Sequence, residues 1–134
     1  MSGFKLFEEI EAWKMARQLP LSIYVLSDQK PFITHYALRD QIRRAVISIS
    51  SNIAEGFERG GNKEFIQFLS VAKASAGEVR SQLYLALDPN YIEKESFEKL
   101  KLDVLNIGKT ISGLIKYLKT SELKGSKYST NIEL

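Results

Sequence analysis

Residues 100–118 read LKLDVLNIGKTISGLIKYL, and their apolar members Leu100, Val104, Ile107, Ile111, Leu114 and Leu118 step by four, three, four, three and four. At that spacing side chains return to one face of an α-helix, and so regular a seam is the kind that packs against other helices in a bundle. The same period runs through three earlier stretches. Residues 62–88 carry it in Phe65, Leu69, Ala72, Ala76, Val79, Leu83 and Ala86. Residues 34–58 carry Leu38, Ile42, Ala45, Ile49 and Ile53, and residues 8–28 carry Ala12, Ala16, Leu19, Ile23 and Leu26. No period-two alternation competes over any useful length.

Pro20, Pro31 and Pro89, with the cluster Gly56, Gly60 and Gly61, separate these stretches. Helices are therefore expected at 8–28, 34–58, 62–88 and 93–120, the first kinked or split by Pro20. Thr34 and Asn62 can accept from the free amides that open helices two and three. Glu93 and Glu95 suit the positive start of helix four, and Lys116 and Lys119 its negative end. Short connections make neighbouring helices antiparallel, so the fold expected is an all-α, up-down-up-down four-helix bundle. It spans residues 1–120. Residues 121–134, SELKGSKYSTNIEL, lose the period and are expected to form a flexible polar tail.

Composition narrows the chemistry. A chain of 134 residues is one domain by length, with 44% hydrophobic and 26% charged residues. It has no cysteine, which removes disulfides, zinc fingers and thiol catalysis and suits the cytoplasm. The opening MSGFKLFEEIEAWK carries charges throughout, unlike a signal peptide, and no apolar run is long enough to span a membrane. The only histidine, His35, cannot supply the paired Glu-x-x-His motifs of a di-iron bundle. Gly56-Phe57-Glu58-Arg59-Gly60-Gly61 lacks the Gly-Lys-Ser/Thr ending of a phosphate loop, and no serine has a histidine at plausible reach. No enzyme activity, cofactor or metal is expected.

What stands out is the polar stripe on helix two. At about 100° per residue, Gln41, Arg44, Ser48, Asn52 and Glu55 line up beside the core arc. Helix three has a matching flank in Ser75, Glu78 and Gln82. A hairpin through 59–61 brings Arg44 opposite Ser75 and Gln41 opposite Glu78, so a partly buried Arg44–Glu78 ion pair is expected to fix helix register. A ligand or catalytic pocket is the alternative. Basic residues form a second pattern: Arg39 and Arg43 share one flank of helix two, Arg59 and Lys63 bracket the following loop, and Lys73 and Arg80 lie on the outer side of helix three. Such groups can neutralise phosphates without reading bases, although Asp40, Glu55, Glu58 and Glu64 are interleaved. Phe4, Leu6, Phe7, Trp13 and Ile47 exceed what a small bundle easily buries, which points to a subunit interface.

The stretch from Gln41 through Arg44 and Ser48 to Asn52-Ile53-Ala54-Glu55-Gly56 and Arg59 resembles the four-helix-bundle proteins encoded by intervening sequences in bacterial 23S ribosomal RNA genes. Trp13-Lys14-Met15-Ala16, Lys63-Glu64-Phe65, Phe68-Leu69 and Tyr91-Ile92 extend the resemblance over about residues 4–118. Ser50 stands where members often carry proline, and Ala74 where glycine is usual. The resemblance implies an antiparallel four-helix bundle that assembles as a homopentamer without known enzymatic activity. It also implies a distant likeness to accessory proteins of diversity-generating retroelements, which bind nucleic acid and a reverse transcriptase. The family signature falls on Gln41, Arg44, Ser48, Asn52, Glu55, Gly56, Arg59 and Glu78. The function expected is a non-catalytic oligomer binding RNA or other nucleic acid through backbone charge, with Arg39, Arg43, Arg59 and Lys63 as candidate contacts. The alternative is an oligomeric protein-interaction scaffold.

Overall fold

Proline- and glycine-containing connections separate the helices. In the computed structural model, which describes the backbone of residues 3–133 and the side chains of residues 3–121, four helices account for almost the whole chain. They are α1 (Glu11–Ser27), α2 (Tyr36–Glu58), α3 (Asn62–Leu87) and α4 (Lys94–Glu133). Short 3-10 turns at Phe7–Glu9 and Phe32–Thr34 precede α1 and α2, and there is no strand among the described residues. The protein is an all-α four-helix bundle.

The apolar seams meet in one core. Ala16, Leu19 and Ile23 of α1, Ile42, Ile49 and Ile53 of α2, Leu69, Val79 and Leu83 of α3 and Val104, Ile107 and Ile111 of α4 are all essentially without exposure. Phe32 closes one end, with its ring against Tyr91. Burying one such side chain stabilises by about 1.5–3 kcal/mol, so the seams outweigh any local preference. Contact pairs run in opposite senses from α2 to α3 (Ser48 to Ser75, Phe57 to Phe65), and Tyr84 near the end of α3 meets Phe97 near the start of α4. Gly60, at φ 87°, ends α2 in the left-handed region that glycine tolerates, and Asn90, at φ 64°, does the same beyond α3.

Four expectations need correction. Pro20 lies inside α1 without splitting it, because Ala16, Leu19 and Ile23 hold both halves on the core. Thr34 caps nothing. Its hydroxyl donates to the Pro31 carbonyl at 2.8 Å, and the cap position of α2 belongs to His35. Asn62 is already helical, and Gly61 holds the cap position of α3 without a side-chain hydrogen bond. Finally, α4 passes residue 120 and runs to Glu133, since no proline follows to stop it; what ends near Leu118 is core contact. Lys116 and Lys119 therefore sit mid-helix, not at a helix terminus. The side chains of 122–134, and with them the expected flexible polar tail, lie outside the described residues. Among the described residues, no helix is long and apolar enough to cross a membrane.

Candidate functional site

The four basic residues singled out in the sequence do not form one face. Arg39 and Arg43 stand near the start of α2 and Arg59 just past its end, so sixteen to twenty residues of helix, about 24–30 Å, separate the two groups. Arg39 is also spoken for: its Nε donates to Asp40 at 3.0 Å, Nη1 donates to the Ile33 carbonyl at 3.1 Å, and the guanidinium lies over the Tyr36 ring. Arg43 donates from Nε to the buried Ser27 hydroxyl at 2.9 Å, pairs with Asp28 at 3.4 Å and covers Tyr24. Only about a quarter of each side chain is exposed (23% and 26%), so both tie down the segment between α1 and α2. Arg59 is exposed but paired with Glu55 at 3.0 Å, and of the four only Lys63 is exposed without an ion pair among the described residues.

The signature stripe is real, and its register differs from the expected one by a helical turn. Ser75 faces Ser48, not Arg44, the two hydroxyls sharing a hydrogen bond at 2.9 Å. Asn52 Nδ2 donates to the Ser48 carbonyl at 2.8 Å and to its hydroxyl at 2.9 Å. Further along, Gly56 packs against Phe68 and Phe65, and Phe57 meets Phe65 edge-on. Small and hydroxyl side chains thus let α2 and α3 approach closely, with level positions about one turn from those implied by counting through the loop. Gln82 is 7% exposed; its Nε2 donates to Glu78 at 3.2 Å, and its Oε1 has no partner.

The expected Arg44–Glu78 pair is absent. Both residues, like Gln41, are exposed, and Arg44 makes no ion pair among the described residues. Arg44 stands outside the α2–α3 seam, and its position leaves the guanidinium in water. Arg44→Ala should therefore change stability by no more than about 0.5 kcal/mol, as surface substitutions usually do. A thermal melt checks it: a drop of many degrees would restore the buried pair.

The concentrated positive charge lies on α3 and α4 instead. A groove of about 340 Å³ between them carries Lys73 and Arg80 on the α3 side and Lys109 on the α4 side, over a floor that includes Gly77, Gly108 and Ser112. It adjoins a second hollow of about 290 Å³, where Lys116 and Lys119 join Lys73 and Ser112. All five cations are exposed, and none takes part in an ion pair among the described residues. Among the described residues no carboxylate lines either hollow. Ten residues of helix separate Lys109 from Lys119, so the basic track is at least about 15 Å long. Five like charges at that spacing, within or near a Debye length of one another, add their fields along the groove.

Sequence reading placed Lys73 and Arg80 on the outer side of their helix but did not join them to Lys109, Lys116 and Lys119. The available signal was the seven-residue spacing, shared by 73 with 80 and by 109 with 116, that puts each pair on one strip. His35 occupies neither site. It is exposed, with Nδ1 2.7 Å from the Tyr91 hydroxyl and its ring stacked on Tyr91. Among the described residues, no group of three His, Cys, Asp or Glu side chains is placed to hold a metal ion.

Residues 8–113 match the model of the 23S rRNA-intervening sequence protein family. A solved structure of similar shape is that of a protein of unknown function from the S23 ribosomal protein family of Bacteroides thetaiotaomicron. It superposes with a TM-score of 0.73 at 24% identity, over 78% of this chain and 95% of that one. At that identity the likeness speaks to the fold alone. No curated protein matches the chain.

Proposed function

The chain belongs to the 23S rRNA-intervening sequence protein family, and from that premise we propose that it is a non-catalytic bundle that binds RNA or other nucleic acid along the α3–α4 groove. One observation carries this reading: Lys73, Arg80, Lys109, Lys116 and Lys119 converge on a groove that no carboxylate lines among the described residues. Unpaired, exposed cations are free to replace the counterions of a phosphate backbone, and each contact made this way is salt-sensitive and indifferent to sequence. Arg39 and Arg43 leave the binding face on this reading, Arg59 becomes marginal, and Lys63 remains an accessory contact.

The protein acts as a homo-oligomer in the cytoplasm, with a pentamer favoured. Ile47 on α2 and Val71 on α3 expose 43% and 47% of their surface, and Leu6 exposes 56%. Five copies of a +3 subunit would carry about +15, raising the local concentration of any polyanion. A distant kinship with the nucleic-acid-binding bundles of diversity-generating retroelements forms part of the proposal. Sedimentation at micromolar concentration should report a species several times 15.2 kDa. A single 15.2 kDa species would remove the assembly and the charge argument built on it.

The test of function is a binding titration with mixed-sequence RNA at low salt, using the wild type and a variant with the groove cations changed to glutamine. Loss of affinity in a folded variant supports the proposal, and equal affinity overturns it. A protein-interaction scaffold is the second reading. It is favoured by a cleft of about 740 Å³ beside Leu21 and Val25, which expose 70% and 57% of their surface on α1. A wild type that binds no RNA at low salt would put that reading first.

A further inference from the structure

Just past the Arg80 end of the basic groove stands an aromatic ring. One turn beyond Arg80 along α3 stands Tyr84, 44% exposed, its ring packed edge-on against the buried Phe97 at 4.8 Å and 68°. On the α4 side Lys101 reaches it, with Nζ 3.4 Å from the hydroxyl, to which it donates, and 5.7 Å from the ring centroid. Tyr84 thus differs from a loose surface tyrosine. A core residue fixes its plane, a cation stands beside it, and the track of unpaired cations leads to it. Among the described residues no aromatic side chain lines the groove itself, and Tyr84 stands just past its Arg80 end.

Resting on the nucleic-acid reading above, we propose that Tyr84 is a base-stacking platform and that the groove accordingly takes a single-stranded segment. The backbone would lie along Lys73, Arg80, Lys109, Lys116 and Lys119, with one base turned onto the Tyr84 ring and Lys101 near its phosphate. Every base has a π-face, so the contact is tolerant of sequence, and one such stack multiplies affinity by about five- to a hundredfold. A paired base already stacks on its neighbours. Extracting it from a duplex costs at least as much as the platform returns, so a duplex gains nothing from Tyr84.

The test compares a mixed-sequence RNA 12-mer, single-stranded and as a blunt duplex, binding the full chain at fixed low salt. Tyr84→Leu keeps apolar bulk against Phe97 but has no π-face; it should bind the single strand about tenfold more weakly, with duplex affinity and salt slope unchanged. Tyr84→Phe should bind the single strand like the wild type. Tyr84→Trp supplies a readout that does not depend on the leucine variant: its fluorescence should be quenched by the single strand and not by the duplex. A leucine variant that binds the single strand like the wild type overturns the platform. So does one that loses affinity equally for both forms. If the leucine variant changes nothing while the charge variants abolish binding, the groove stands and only the platform falls. If the wild type binds neither form, both fall.

Discussion

Gly56→Ala is expected to destabilise the protein by about 1–3 kcal/mol, enough to lower the melting temperature by roughly 3–10 °C. A Cβ built on Gly56 would stand 2.4 Å from Phe68 Cβ, 3.2 Å from its Cγ and 3.3 Å from Phe65 Cδ1. The closest of these is itself fixed to the backbone of α3, so no rotamer change relieves it and the two helices must part. Parting them loosens the Phe57–Phe65 contact and strains the Ser48–Ser75 hydrogen bond on the same seam. Alanine is the better helix former by about 0.5–1 kcal/mol, and that gain is smaller than the cost of overpacking. Gly77 provides the control. Its Cβ would meet nothing within 4 Å, so Gly77→Ala should be neutral or stabilising by up to about 1 kcal/mol. Thermal melts of the two variants should move in opposite directions, and a Gly56→Ala protein as stable as the wild type would mean that the helices have room to spare there.

Changing Lys73, Arg80, Lys109, Lys116 and Lys119 together to glutamine should lower RNA affinity by at least about a hundredfold at moderate salt. Each cation is exposed and without an ion pair among the described residues, so its removal leaves no buried group unpaired and the bundle should keep its helical spectrum. The subunit charge falls from +3 to about −2, which reverses the long-range attraction as well as deleting the local contacts. Arg39 and Arg43 should behave in the opposite way. They hold Ile33, Ser27 and Asp28, so glutamine there should lower the melting temperature more than it lowers RNA affinity. A groove variant that stays folded and binds as tightly as the wild type would dismiss the groove.

The four-helix architecture was legible because burial repeats along the chain. Leu100, Val104, Ile107, Ile111 and Leu118 are as buried as their spacing demands, and each helix announces its inner face without reference to any other. Register between helices is a different kind of quantity. It depends on how two surfaces interlock, and Ser48 meets Ser75 in an alignment one turn from that obtained by counting through the loop. Arg44, placed by that count, therefore lands in water instead of against Glu78. The end of α4 was misread because loss of the apolar period marks the end of core contact, not of helical backbone. The groove was the hardest feature to see. Lys73 and Lys109 are far apart in sequence, and each looks like part of an ordinary solvated face until the α3–α4 pairing sets them across one hollow. Tyr84 and Lys101 meet through the same pairing.

The most direct measurement is the salt dependence of RNA binding by the wild-type protein. If five phosphates are neutralised by the groove, the logarithm of affinity should fall with the logarithm of salt at a slope of about −3 to −4 on a single strand between roughly 50 and 200 mM. The same titration on the glutamine variant should give weak binding and a slope near zero. An affinity that hardly changes across that range, or a wild type that binds no RNA even at the lowest salt, would contradict the account.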